Sequence, residues 1–286
     1  MRISGNTKIV GLFGYPVSHT LSPLIQNAAF RECGLNFVYL PFSIEPSYLE
    51  QATMAIRALN ITGVNVTIPY KESIVKYLDE LSSEAKAIGA VNTVFNSNGK
   101  LIGYNTDGKG FIESLKRREI SLQNKQIFLI GAGGAALSIS FSLIKEGINR
   151  LILTNRTYSK AEDLFNKLKK SAPPTVKLEL IEFEKRNFFS EKENIDILIN
   201  ATSLGMHKDD PSPVDLENFP SSTYVYDVVY NEDTQLLKKA RGKGMKCQNG
   251  VDMLVYQAGF AFEIWTGRKA PIDKMKEIIG RYFKKI

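Results

Sequence analysis

The chain has 286 residues, 43% of them hydrophobic and 23% charged, which is enough apolar material to close a core and excludes a disordered chain. At roughly 150 residues per domain, that length predicts about two domains. Two cysteines, Cys33 and Cys247, exclude a disulfide scaffold; beside them stand only His19 and His207, all four scattered, so no metal site is expected. A formal net charge of +7 raises nucleic acid as a partner. The cations are spread and alternate with acids, however, as in KAEDLFNKLKK (160–170), so no nucleic-acid partner is expected.

In chain order, KIVGLF (8–13) reads as a strand with no secretory apolar region before it. No apolar run approaches the ~18 residues of a membrane span, so a cytoplasmic location and no membrane partner are expected. SPLIQNAAFRECG (22–34) reads as a helix: Ser22 suits the N-cap and Pro23 suits N1. Leu24, Ile25, Ala28 and Ala29 form its apolar face, and Gly34 ends it. NFVYLPF (36–42) and GVNVTI (63–68) are further strands with helical stretches between them. From about residue 125, short apolar strands at 127–130, 151–154, 176–181, 196–199 and 224–229 alternate with helix-length segments. That alternation predicts a parallel sheet covered by helices on both faces. MLVYQAGFAFEIW (253–265) and IDKMKEIIGRYF (272–283) are helical and are expected to return to the first domain. Cys33 is expected in the core or on a helix face, Cys247 in a strand, and Phe262 and Trp265 in the packing of the first of these two helices.

At Gly131, Gly133 and Ala136 the chain matches G-x-G-x-x-G/A, directly after a strand and at the start of a helix. Small residues there permit a tight turn and let backbone N–H groups approach a pyrophosphate at the helix N-terminus; a tight turn without a ligand is the plainer alternative. An NAD site wants an acid at the end of the next strand. This chain offers Asn155-Arg156-Thr157 and Lys160 instead, groups that can clamp a 2′-phosphate, so NADP is the expected cofactor.

Polar residues in the first half stand where no strand or turn requires them. NVTIPYKE (65–72) offers Thr67 and Lys71, GAVNT (89–93) puts Asn92 inside a strand-like run, and GYNTDG (103–108) puts Asp107 in a turn. Taken singly, a solvated lysine, a turn asparagine and a helix-capping aspartate would account for them.

Together these strings resemble the shikimate dehydrogenase family. The resemblance runs from GYPVSHTLSPLIQNAAF (14–30) through NVTIPYKE, GAVNT, NTDG, GAGGA (131–135), NRT (155–157), INATSLGM (199–206), YDVVY (226–230) and NGVDMLVYQ (249–257) to AFEIWTG (261–267), over nearly the whole chain. It implies an α/β fold with a substrate-binding domain over 1–106, rejoined by 253–286, and a Rossmann-type, doubly wound NADP-binding domain over 107–252. The implied activity is the reversible NADPH-dependent reduction of 3-dehydroshikimate to shikimate on the route to aromatic amino acids. A quinate/shikimate or related hydroxy-acid dehydrogenase is the alternative. By the resemblance Lys71 and Asp107 are the catalytic pair. Asn92, Thr67 and Gln257 face the ring hydroxyls, and Thr20, Ser22 and Tyr230 belong to the carboxylate site. Gly131, Ala132, Gly133, Gly134 and Ala135 form the phosphate loop, with Asn155, Arg156, Thr157 and Lys160 as the 2′-phosphate clamp. Thr202, Ser203, Val228 and Gly250 line the ribose and nicotinamide.

Three positions depart from the family's usual pattern: Thr20 replaces a serine, Gln26 a frequent histidine and Asp252 a frequent glycine. The extra methyl of Thr20 takes up room and restricts its rotamers, which bears on shikimate against quinate. A catalytically silent NADP-binding regulator would have lost Lys71 or Asp107, and both are present. Asp227 is left between a structural and a site role. The partner expected is a small-molecule substrate, with a homodimer left open.

Overall fold

The computed structural model describes residues 3–187, 193–230 and 234–284. The chain divides into two compact units: the first runs to Gly110 and resumes at Val255, and the second is Phe111–Leu254.

The first unit contains β1 (Lys8–Gly14), α1 (Ser22–Glu32), β2 (Phe37–Ser43), α2 (Leu49–Ala58), β3 (Gly63–Val66), β4 (Glu80–Leu81), α3 (Ser83–Ile88), β5 (Thr93–Ser97) and β6 (Lys100–Tyr104). Its six-stranded sheet has the order β2-β1-β3-β5-β6-β4. β1 pairs in parallel with β2 and β3, while β5 runs antiparallel to both β3 and β6. The register sets Asn65 opposite Thr93 and Thr93 opposite Tyr104. The end of β3, the start of β5 and the end of β6 therefore meet at one end of the sheet. One buried cluster joins Phe13, Val64, Val66, Val94 and Leu101 of the sheet to Ile56 and Ile74.

α4 (Asp107–Lys116) carries the chain out of this unit, and α8 (Val251–Thr266) and α9 (Ile272–Phe283) bring it back. The return expected of the last two helices is what the structure shows. Phe262 of α8 stacks on Phe30 of α1 at 5.3 Å, and Phe30 stacks on Phe37 of β2 at 5.1 Å. Burying one such ring stabilises by about 1.5–3 kcal/mol. Trp265 donates its indole N–H to the Val94 carbonyl at 3.0 Å. It lies so close over β3 that a Cβ on Gly63 would come within 2.4 Å of that nitrogen. A side chain there would push α8 off the sheet.

The second unit contains β7 (Gln126–Ile130), α5 (Gly134–Lys145), β8 (Arg150–Thr154), α6 (Tyr158–Lys169), β9 (Lys177–Leu180), β10 (Ile197–Asn200), β11 (Tyr224–Asp227), α7 (Gln235–Gly242) and β12 (Cys247–Gln248). Its strands are all parallel in the order β12-β11-β10-β7-β8-β9. Numbered within the unit this is 3-2-1-4-5-6 from the β9 edge, the doubly wound order of dinucleotide-binding sheets. Ile127–Ile130, Leu151–Thr154, Ile197–Asn200 and Tyr224–Asp227 are buried along their whole length, as central parallel strands are when both faces are covered. β9 alternates lysine and glutamate with leucine, which suits its place at an edge.

Three local expectations need correction. Helix α1 takes Leu21 as its N-cap, not Ser22, and no side chain caps it. Thr20 Oγ1 instead accepts from the Ser22 N–H at 3.2 Å, and Ser22 is already the first residue of the helix. Asn92 lies outside any strand, at a bend one residue before β5, where the Val91 N–H is drawn to the Lys71 carbonyl at 2.8 Å. Asp107 is already the first residue of α4, not part of a turn before it.

Candidate active site

The end of the first sheet gathers a buried polar cluster around Lys71, Asn92 and Asp107. Lys71 Nζ donates to Asp107 Oδ2 at 2.5 Å, with side-chain exposures of only 15% and 8%. Asn92 Nδ2 donates to the other carboxylate oxygen at 2.8 Å and to Thr106 Oγ1 at 2.9 Å. The Thr106 N–H returns a bond to Asn92 Oδ1 at 2.8 Å, so the amide can face only one way. Lys71 is brought there by the chain turning after β3, where the Tyr70 N–H bonds to the Thr67 carbonyl at 2.9 Å. The bond from Val91 to the Lys71 carbonyl then pins its backbone beside Asn92. A buried ammonium held against a carboxylate is a proton donor placed to meet negative charge developing on a neighbouring oxygen.

The other substrate-site candidates of this unit connect to the cluster in different ways. Gln257 of α8 accepts at its backbone carbonyl from Thr106 Oγ1 at 3.1 Å. Ser22 lies buried at the start of α1, and the Tyr39 phenol donates to Asn65 Oδ1 at 2.9 Å. Burial pushes the Tyr39 phenol far up, so it stays a neutral donor, with the Ser22 hydroxyl a smaller opposing effect. Thr67 follows the end of β3 and Thr20 stands in the loop before α1, both partly buried. Tyr230 is partly buried on the second unit, past β11, and is not among the residues the first unit gathers. Gln26 is fully buried and donates Nε2 to the Ala258 carbonyl at 2.8 Å, tying α1 to the residue after Gln257.

Every cofactor candidate lies at or beyond the carboxyl end of a strand in the second unit, the place where open parallel sheets bind ligands. Gly131–Ala135 follow β7, Asn155–Lys160 follow β8, Thr202 and Ser203 follow β10, Val228 follows β11 and Gly250 follows β12. β7 and β10 are neighbours, and between them the order of the sheet reverses. Gly131 has φ +123°, and a Cβ on it would lie 2.7 Å from the Ala201 carbonyl. Gly250 approaches closer still, since its Cβ would lie 1.9 Å from the Val228 carbonyl. Gly133 caps α5 with no side-chain bond and no acid in the first turn, which leaves the positive helix end open to an anion. Asn155 Nδ2 bonds to the Thr157 carbonyl at 2.8 Å, and Arg156 and Lys160 are exposed. No carboxylate occurs from 155 to 160. These residues fit a dinucleotide that carries a 2′-phosphate.

Behind both groups stand buried polar residues, of which sequence reasoning singled out only Asp227, left between a structural and a site role. In the second unit Asp227, fully buried, accepts from Asn200 Nδ2 at 2.9 Å, Thr234 Oγ1 at 2.7 Å and the Val229 N–H at 3.1 Å. Asn200 Oδ1 in turn accepts from the Thr202 N–H at 3.1 Å and its hydroxyl at 2.7 Å. Asp227 thus holds the segment that carries Thr202. Burial pushes its carboxyl up to about 6, against the pull of those three hydrogen bonds. In the first unit the missed residues are Tyr39, Asn65, Thr93 and Thr106, all buried polar groups inside or beside motifs quoted for their neighbours. For Asn65 the available signal was an amide on a strand otherwise made of valine and glycine. Asp252, the departure in the last motif, pairs with Arg118 at 3.1 Å within its own unit.

Residues 12–94 match the shikimate dehydrogenase substrate binding domain, residues 113–207 the shikimate / quinate 5-dehydrogenase family, and residues 250–279 the shikimate 5'-dehydrogenase C-terminal domain. The NADP(+) shikimate dehydrogenase of Caldanaerobacter subterraneus subsp. tengcongensis is 46% identical over 93% of this chain and 94% of its own. A shikimate dehydrogenase crystallised with NADP+ is 41% identical with a TM-score of 0.90, covering 98% of this chain and 97% of its own. The Listeria monocytogenes shikimate 5-dehydrogenase, crystallised with shikimate and NAD, is 36% identical with a TM-score of 0.90, covering 98% of each chain. With its two units, its buried Lys71–Asp107 pair and its doubly wound sheet, the chain belongs to the shikimate dehydrogenase family.

Proposed function

We propose that this chain catalyses the reversible NADPH-dependent reduction of 3-dehydroshikimate to shikimate, as a cytoplasmic enzyme of aromatic amino-acid biosynthesis. The first unit takes the substrate and the second takes the cofactor. The observation that carries the reading is the cluster in which Asp107 accepts from Lys71 at 2.5 Å and from Asn92 at 2.8 Å. It supplies what a ketone reduction needs from the protein: a proton donor, and an acceptor for the substrate's own hydroxyls.

Bound NADPH supplies the hydride. Lys71 Nζ passes a proton to the carbonyl oxygen as that oxygen gains charge, and Asp107 keeps the ammonium oriented and accepts from a substrate hydroxyl. Asn92, Thr67 and Gln257 fix the ring through its hydroxyls, while Ser22 and Thr20 hold the carboxylate. In the reverse direction Lys71 takes the hydroxyl proton as hydride leaves the ring carbon.

Steady-state reduction of NADP at 340 nm with shikimate and with quinate, each repeated with NAD, tests the reading. Turnover with shikimate and NADP at least tenfold above every other pair is the expected result. Comparable turnover with quinate would instead support the broader hydroxy-acid dehydrogenase and point to Thr20. No turnover with any pair, in protein that still binds NADP, would overturn the assignment.

A further inference from the structure

The Lys71–Asp107 pair is not held by its own two side chains alone. Behind it runs a buried relay whose donors all point the same way. Tyr39 Oη donates to Asn65 Oδ1 at 2.9 Å. Asn65 Nδ2 donates to the Asn92 carbonyl at 3.1 Å and to Thr93 Oγ1 at 3.0 Å. Thr93 Oγ1 donates to Asn92 Oδ1 at 3.0 Å, and Asn92 Nδ2 donates to Asp107 Oδ1 at 2.8 Å. The Asn92 backbone carbonyl is acceptor-only, so it fixes the Asn65 amide with Nδ2 toward Thr93. The Thr93 hydroxyl has one proton, and with Asn65 donating to it that proton goes to Asn92 Oδ1. Thr93 is completely buried, with Asn65 at 6% exposure and Asn92 at 2%. Register explains the closeness, because Asn65 of β3 lies directly opposite Thr93 of β5.

We propose that Thr93 is a positioning residue of the reaction. Its hydroxyl joins the Tyr39–Asn65 pair to Asn92 and holds the Asn92 amide with its NH2 toward Asp107, which keeps the second carboxylate oxygen on Lys71. This rests on the proposed reduction for its kinetic consequence, although the hydrogen-bond relay itself does not. A valine at 93 keeps the shape and the β-branch but removes both donor and acceptor. Asn65 Nδ2 then loses one acceptor, and Asn92 Oδ1 keeps its bond from the Thr106 N–H.

Kinetics of Thr93→Val and Thr93→Ser, alone and in an Asp107→Asn background, test the proposal. The expected result is a roughly ten- to hundredfold lower kcat for Thr93→Val with KM for NADP unchanged, restored to within about threefold by Thr93→Ser. In the Asp107→Asn background Thr93→Val should cost less than twofold more, because the group it acts through is already altered. If Thr93→Val does not fold, Thr93→Ala carries the same expectations. An undiminished kcat in Thr93→Val, or an equal loss in both backgrounds, overturns the positioning role. The side-chain amide signal of Asn92 in 15N–1H spectra, identified by its loss in Asn92→Asp, separates this from failure of the reaction reading. A wild type without shikimate turnover would overturn the reaction. The Asn92 signal would still support the relay by shifting in Thr93→Val, or overturn it by staying unmoved.

Discussion

Lys71 owes its place to a partner set rather than to exposure. A surface lysine contributes little when paired, but here the carboxylate it meets is itself held by Asn92 and lies in a buried cluster. The cofactor side works differently at this scale. Arg156 is exposed at the end of β8, so its contribution depends on a ligand that brings the charge. Replacing Arg156 with leucine should lower kcat/KM for NADP about ten- to hundredfold, the worth of a charge-assisted hydrogen bond or two, and leave kcat/KM for NAD within about threefold. Steady-state kinetics with both cofactors check it. An unchanged NADP-to-NAD ratio would remove Arg156 from the clamp.

At the scale of elements, polar side chains on neighbouring strands brace the loops that carry candidate groups. Asn200 of β10 and Asp227 of β11 are register partners, and together they hold Thr202 beyond β10. Asp227 accepts from Asn200, Thr234 and the Val229 N–H, all uncharged donors, so its ionisation depends on three hydrogen bonds working against burial. Its carboxyl is pushed from 3.8 up to about 6 in the folded state. The sign follows from which state releases the proton first. Between about pH 4 and 6 the unfolded chain ionises this group while the folded chain still keeps it protonated. Folding therefore loses free energy as pH rises through that window. At about 1.36 kcal/mol per pH unit the loss is roughly 3 kcal/mol by pH 7. Asp227→Asn removes the titration and keeps an oxygen for Asn200 and Val229. Its melting temperature relative to the wild type should rise steadily from pH 4 to pH 7. A difference that stays flat or falls over that range would contradict the buried-carboxylate account.

For the molecule as a whole, the alternation of strand and helix after residue 125 was legible because fully buried parallel strands are unbroken apolar runs. The glycine loop was legible because a positive φ at Gly131 leaves few other choices. Family motifs brought Lys71, Asn92 and Asp107 to notice, but their meeting depends on register, since Thr93 faces Asn65 of β3, far back in sequence, on one side and Tyr104 of the adjoining hairpin strand on the other. That pairing cannot be read from any single segment. The hairpin of β5 and β6 and the short β4 carried little periodic signal. The α1 N-cap falls one residue earlier than Ser22 suggests, on Leu21, with the Ser22 N–H bonded to Thr20 Oγ1 in the preceding loop. Buried braces such as Thr93 and Asp227 were the least visible, because a polar residue on an apolar strand does not announce its partner.

In the proposed reduction the Lys71 ammonium, held by Asp107, delivers the proton. Steady-state kinetics of Lys71→Ala with shikimate and NADP test this role. A kcat lowered roughly 10²–10⁴-fold, with KM for shikimate within a few-fold of the wild type, is the predicted result, because the lysine acts on charge that develops in the transition state. A kcat within a few-fold of the wild type would contradict the account and move the proton donor elsewhere.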